Sequence, residues 1–273
     1  MKKISLNYVK KNLPTRSKVS SKIDGGKVLI IGGSKGLFGA GILAALAATK
    51  SGAGYTYLMT DIKEYPWMNF PDFIVHSFSL AKLKEHKASV IGIGPGLGLK
   101  DSRKKLLVFL LKNKFEKVVV DGDALTLLSK MSLKKIPSSW ILTPHEGELA
   151  RLLDTTSADV KLNRYHSIKL AQKKYGCVVV LKGAETLIAD SNEISLIDAG
   201  TTALAKAGSG DVLLGLISAL YAQNLTPLQS AQVGCFIHGY TSRIWLKEKN
   251  DHLSMRPGDL IERLPKALFK IRK

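Results

Sequence analysis

Short runs of β-branched and aliphatic residues alternate with longer helix-spaced segments along most of this chain, and that alternation leaves few folds open. Residues 27–31, 55–59, 89–93, 117–120, 140–143 and 177–181 have the length and Val/Ile content of buried strands. Between them, residues 39–51, 101–114, 145–153 and 163–175 have the length and apolar spacing of helices. Strands that alternate with helices pair parallel through right-handed crossovers, with helices on both faces of the sheet. The expected fold class is therefore α/β, with a mostly parallel central sheet. Two short segments between Leu187 and Ile197 flank the turn sequence Asp190-Ser191-Asn192-Glu193, which predicts an antiparallel edge hairpin. An apolar helix over 212–223 and another from Pro227 to about Lys247 follow it.

Composition narrows the class of protein. A 45% hydrophobic and 23% charged chain of 273 residues can bury a sizeable core and is not disordered. Without a linker, low-complexity block or internal repeat, residues 23–273 read as one domain preceded by a basic arm over 1–22, in which seven Lys or Arg and no acid occur. That arm lacks an apolar signal core. The longest apolar run, near residues 36–48, is shorter than the ~20 residues that span a bilayer. Two cysteines, Cys177 and Cys235, form no CxxC or His/Cys cluster, which fits a reducing cytoplasm. The net charge of +19 is spread along the whole chain with no accompanying nucleic-acid motif and only 7% aromatic residues, so no specific nucleic-acid partner is expected.

Several segments at expected strand ends could carry chemistry. The sequence Gly208-Ser209-Gly210-Asp211 precedes the apolar helix, where small residues let N–H groups converge on an anion and the helix dipole adds positive potential. Asp211 beside such a hole could accept a proton from a hydroxyl attacking a phosphoryl group, or could simply cap the helix. Lys182 and Gly183, followed by Ala184, Glu185 and Thr186, could present an ammonium and backbone N–H groups to phosphates, or form an ordinary turn. In Thr143-Pro144-His145-Glu146-Gly147-Glu148, His145 could hydrogen-bond a ligand and Glu148 could orient Mg2+; a packed or capping His is the plainer reading. Asp121 and Asp123 could steer a metal or cap a helix. The glycine-rich stretches over 32–41 and 92–98 either admit ligand closely or are tight turns; neither is GxGxxG, and no GxxxxGK[ST] occurs.

Taken in order, the segments 13–16, 28–34, 51–54, 92–98, 121–125, 143–148, 181–183, 208–213 and 259–261 resemble the ADP- or ATP-dependent NAD(P)H-hydrate dehydratases of the ribokinase-like superfamily. The resemblance implies a ribokinase-like fold and phosphorylation of the hydroxyl of hydrated NADH or NADPH, followed by loss of phosphate. It implies that Asp211 acts on that hydroxyl with Gly208 and Gly210 framing the anion hole. Lys182 to Thr186, Thr201 and Gly210 would hold the nucleotide; Ala40, Gly98 and His145 would contact the hydrate; and Glu148 would help with Mg2+. Thr201 stands where the family often has Asn. ADP is the expected donor ahead of ATP, a separately encoded epimerase the expected functional partner, and a homo-oligomer the expected assembly. The alternatives are a small-alcohol kinase of thiamine-precursor type using the same Asp211, and a nucleotide-sensing or nucleic-acid-binding protein.

Overall fold

The computed structural model describes residues 1–61, 72–131, 133 and 135–273. Its strands are β1 (Lys2–Lys3), β2 (Lys27–Ile31), β3 (Tyr55–Thr60), β4 (Ile74–Ser77), β5 (Val90–Ile93), β6 (Val118–Val120), β7 (Ile141–Leu142), β8 (Val178–Leu181), β9 (Thr186–Ala189) and β10 (Ile194–Ile197). They form one sheet in the order β1-β10-β9-β8-β7-β6-β5-β2-β3-β4. All pairings from β8 through β4 are parallel, as is β1 with β10, whereas β8–β9 and β9–β10 are antiparallel. The expected mostly parallel sheet and its antiparallel hairpin are both present. The hairpin is not outermost, because β1 lies beyond it.

Alternation along the strands builds two cores. In β2, Val28 and Ile30 face one layer, and Leu29 and Ile31 face the other. The first layer contains the helices α2 (Phe38–Lys50), α9 (Ser209–Ala222), α10 (Pro227–Lys247) and α11 (Pro257–Arg272). The second contains α4 (Asp101–Lys112), α5 (Gly122–Ser129), α6 (Glu146–Leu153) and α8 (Arg164–Tyr175). Both faces are apolar all along the strand, so the strand sequences read as continuous Val/Ile/Leu runs. Helices α2 and α9 approach very closely, since a methyl on Gly215 would lie 2.0 Å from the Ala44 carbonyl oxygen. Glycine facing an Ala-rich helix thus brings the N-termini of α2 and α9 to the same end of the sheet.

Residues 1–13 depart from the solvated arm expected for residues 1–22, whereas residues 15–19, 21 and 22 are exposed as expected. Lys2 and Lys3 pair with Ser195 and Leu196, and α1 (Leu6–Asn12), capped by the Ser5 hydroxyl, packs on α10 and α11. Ile4, Val9 and Leu13 are buried while the lysines point outward. Tyr8 donates to Gln232, whose amide donates in turn to Glu193 and Ser195. The basic composition masks an amphipathic segment: three well-spaced apolar side chains suffice to anchor it.

Candidate active site

The parallel strands deliver their carboxyl ends to one edge, and the order of the sheet marks a place on it. The chain leaves β2 toward β3 and β4, then returns on the other side of β2 as β5, so the loops after β2 and β5 mark the switch point at which open α/β sheets bind ligands. Those loops are the two glycine-rich stretches, and they are joined: Gly33 and Ser34 donate N–H bonds to the carbonyls of Pro95 and Gly96, at 2.8 and 2.7 Å. Gly94 has φ +128°, and a methyl there would lie 1.8 Å from the Asp121 carbonyl oxygen, so only glycine lets the β5 loop close on the end of β6. Ala40, in the first turn of α2, abuts this loop, and Gly98 donates to the Asp123 carboxylate at 2.8 Å. Ala40 and Gly98, expected together, therefore lie at the same pair of joined loops.

Asp121 follows β6 and occupies the N-cap position of α5, yet its carboxylate makes no capping bond. It is drawn instead to Lys182, at the end of β8, whose Nζ lies 2.5 Å from Asp121 Oδ1 and 3.7 Å from Glu148 Oε2. All three side chains are largely buried, with 5%, 19% and 7% of Asp121, Lys182 and Glu148 exposed. Burial alone pulls the Lys182 ammonium down, but Asp121 and Glu148 outweigh it and hold the group charged. The Lys182 N–H donates to the Pro144 carbonyl, which ties this loop to the one after β7.

In that loop His145 is the N-cap of α6. Its Nδ1 accepts from the N–H groups of Gly147 and Glu148, and the Glu148 carboxylate accepts the His145 N–H at 2.8 Å, closing a capping box. The capping role weighed for His145 is thus present; its side chain is 52% exposed, with Nε2 3.6 Å from Glu148 Oε1.

Helix α9 starts at Ser209, three residues before the apolar run, with Gly208 at φ +94° as its N-cap residue. Asp211 therefore sits in the first helical turn rather than at the cap, and among the described residues its carboxylate has no hydrogen bond or ion pair. Burial first, and Asp121 next, push it up to about 7 against the pull of Lys182, with smaller contributions in the same upward direction from Asp123 and Glu148. A methyl on Gly210 would lie 3.4 Å from Lys182 Nζ and 3.5 Å from Asp121 Oδ2, ordinary contact distances. The protein itself thus leaves room for a side chain at 210. Beneath this turn His238 of α10, held neutral by burial that pushes it down to about 4, lies 3.0 Å from the Ser209 carbonyl.

Other expected site residues fall at the margins. Ala184 and Glu185 are exposed, and Thr186 opens β9 with its hydroxyl on the Gly183 carbonyl. Thr201 donates its hydroxyl to Ser242. Arg164 was not singled out by any motif, yet it bonds to the carbonyl oxygens of Lys182 and Glu185 in the 182–186 turn and of Leu181 at the end of β8. Its spacing carried no signal because the contact is made only by the fold.

Among the described residues no group of three or more His, Cys, Asp or Glu is arranged to hold a metal ion. The buried carboxylates of Asp121 and Glu148 are shared with one ammonium, so this edge does not form a cage of its own. It fits a hard cation that arrives with phosphate oxygens and water and takes one or two carboxylates, which is how Mg2+ usually binds.

A family model described as NAD(P)H-hydrate dehydratase matches residues 28–266. The chain belongs to this family. It is 39% identical over 232 residues to the bifunctional NAD(P)H-hydrate repair enzyme of Coxiella burnetii, covering 83% of this chain and 47% of that protein. It is 37% identical over 233 residues to the ADP-dependent (S)-NAD(P)H-hydrate dehydratase of Neisseria meningitidis serogroup B, covering 82% and 78%. The chain thus spans about half the length of the bifunctional relatives it matches. Its fold is similar to that of the ADP/ATP-dependent NAD(P)H-hydrate dehydratase of Bacillus subtilis co-crystallised with ATP and Mg2+. There the TM-score is 0.88 at 26% identity, over 99% of this chain and 98% of that one. No helix among the described residues is long and apolar enough to cross a membrane.

Proposed function

We propose that this protein dehydrates NADH and NADPH hydrates back to the reduced cofactors at the expense of a nucleotide, with ADP the donor ahead of ATP. The observation that carries the reading is Asp211. It is a carboxylate without a hydrogen-bonding partner among the described residues, pushed up to about 7, in the first turn of α9 beside the Lys182 ammonium and at the unfilled face of Gly210. A carboxylate so placed is matched to proton transfer near neutral pH, and the helix N-terminus is matched to phosphate.

In this reading the hydrate lies over the joined loops that carry Ala40 and Gly98, at the same sheet edge as His145. The nucleotide phosphates meet Lys182, Gly183 and the N–H groups ahead of α9, with Ala184 to Thr186 and Thr201 at its periphery. Asp211 accepts the hydroxyl proton as that oxygen forms a bond to phosphorus and the nucleotide leaves. Gly208 and Gly210 frame N–H groups that take up the charge developing on the transferred phosphoryl group. Cleavage of the carbon–oxygen bond then releases phosphate, and loss of a proton from the neighbouring ring carbon restores the ring double bond. Mg2+ carried by the nucleotide, met by Glu148 and Asp121, would neutralise phosphate charge. An epimerase acting on the other hydrate epimer, a homo-oligomeric assembly and a cytoplasmic location complete the reading.

The test is recovery of the near-ultraviolet absorbance of reduced nicotinamide when the protein meets NADH hydrate, Mg2+ and either ADP or ATP. A nucleotide-dependent recovery that Asp211→Asn abolishes is expected. Transfer of phosphate to a small alcohol with no recovery from the hydrate would favour the kinase alternative instead.

A further inference from the structure

The carbonyl oxygens at and just before the 182–186 turn converge on one side chain. Arg164, the first residue of α8, donates to the carbonyl oxygens of Leu181 at 3.2 Å, Lys182 at 3.4 Å and Glu185 at 2.8 Å, and it pairs with the Glu146 carboxylate. Its side chain is only 21% exposed. A guanidinium is a rigid planar fork of five donors with no need of a partner's flexibility, which suits it to gather carbonyls from several directions. Gly183 is shaped by the same group: a methyl there would lie 2.6 to 2.9 Å from the guanidinium atoms. In a trans peptide the N–H points opposite to the C=O, so turning the Lys182 carbonyl onto Arg164 turns the Gly183 N–H away from it. The ion pair to Glu146 joins this turn to the loop that carries His145, one strand away.

We propose that Arg164 is a positioning residue for nucleotide binding, a carbonyl clamp that holds the 182–186 turn so that the Gly183 N–H and the Lys182 ammonium are fixed for phosphate. The inference rests on the reading that this turn receives the nucleotide. It goes beyond that reading in assigning the organisation of the turn to a side chain outside it. The clamp acts through the carbonyl bonds, with the Glu146 pair secondary.

The experiment measures ADP affinity by calorimetric titration, KM for ADP and for the hydrate, and Tm, for wild type, Arg164→Ala, Arg164→Lys and Glu146→Gln. Loss of several hydrogen bonds from a charged donor is expected to weaken ADP binding by about 10-fold or more in Arg164→Ala. Arg164→Lys, which keeps the charge but not the fork, is expected to recover part of it, and Glu146→Gln to stay within about 3-fold of wild type. The loss should fall on KM for ADP and spare KM for the hydrate. A lowered Tm with unchanged ADP affinity would overturn the proposal by making Arg164 a brace of the fold alone, and equal losses in Arg164→Ala and Glu146→Gln would overturn it in favour of the ion pair. Should Arg164→Ala fail to fold, Arg164→Lys carries the same two outcomes. Wild-type protein that binds ADP but leaves the hydrate unchanged would sink the dehydratase reading and leave the clamp standing.

Discussion

Asp211 combines two demands that pull apart. As a base it must be ionised, while burial and the nearby Asp121, Asp123 and Glu148 carboxylates disfavour the ionised form and push it up to about 7 against the pull of Lys182. The rate is therefore expected to climb about tenfold per pH unit below 7 and level off above it. Lys182→Met, which removes the opposing positive charge, should move that midpoint upward; a pH profile flat between 5 and 8, on the scale of about three units on which such a group titrates, would refute the assignment of the base. Stability follows from the same shift. A carboxyl raised in the folded state binds more protons there than in the unfolded chain, so its contribution declines as pH rises from about 4 to about 7 and the penalty is complete above 7. Asp211→Asn should then unfold at a higher temperature than wild type at pH ~8 and lose that advantage at pH ~4, a gain in stability at the cost of function. Equal melting temperatures for the two proteins at both pH values would mean that the carboxylate is not strained.

Helix α9 shows what a sequence pattern carries at the level of one element and what it omits. Its apolar body was legible from Val212 onward because eight of the twelve residues 212–223 are Leu, Ile, Val or Ala, but its first turn was not, since Ser209, Gly210 and Asp211 have no apolar period. The start is set by Gly208, whose φ of +94° breaks the chain direction and turns Asp211 from a capping residue into one inside the helix. The two flanking glycines are consequently expected to fail in opposite ways. Gly208→Ala places a methyl 2.8 Å from both Leu43 and Pro257 in a left-handed conformation, and should cost about 1–3 kcal/mol, read as a fall in Tm. Gly210→Ala meets only ordinary contacts and replaces a helical glycine, so stability should hold or improve by about 0.5–1 kcal/mol while nucleotide turnover falls, because the methyl fills the face left for phosphate. Thermal unfolding and turnover measured side by side decide this; a Gly210→Ala protein with wild-type turnover would show that nothing approaches the helix there.

At the scale of the molecule, the layered parallel sheet was legible because the central strands β2 and β5 to β8 are buried on both faces and so read as runs rich in Val, Ile and Leu. The convergence of the 32–41, 92–98, 121–123, 143–148 and 182–183 segments was legible too, because each follows such a strand and parallel strands end at one edge. The edge elements were not. β1 is two lysines, with no period to read, and takes its strand character wholly from β10; Arg164 belongs to no motif and meets its partners only after the layers close. The N-terminal segment is where this matters for stability. Removing residues 1–13 would expose the apolar surface under Ile4, Val9 and Leu13, each worth about 1.5–3 kcal/mol, and would bare the open edge of β10. A fall in Tm of about 10 °C or more is expected for a domain of this size, together with concentration-dependent association through the bared strand. The carboxyl-edge cluster lies at the strand ends and takes no ligand-facing residue from this segment, so any folded fraction should keep wild-type affinity for ADP. A truncated protein with unaltered Tm would return residues 1–13 to the solvated arm that their charge suggests. One that melts early but binds ADP normally would separate the fold's closing strand from its chemistry.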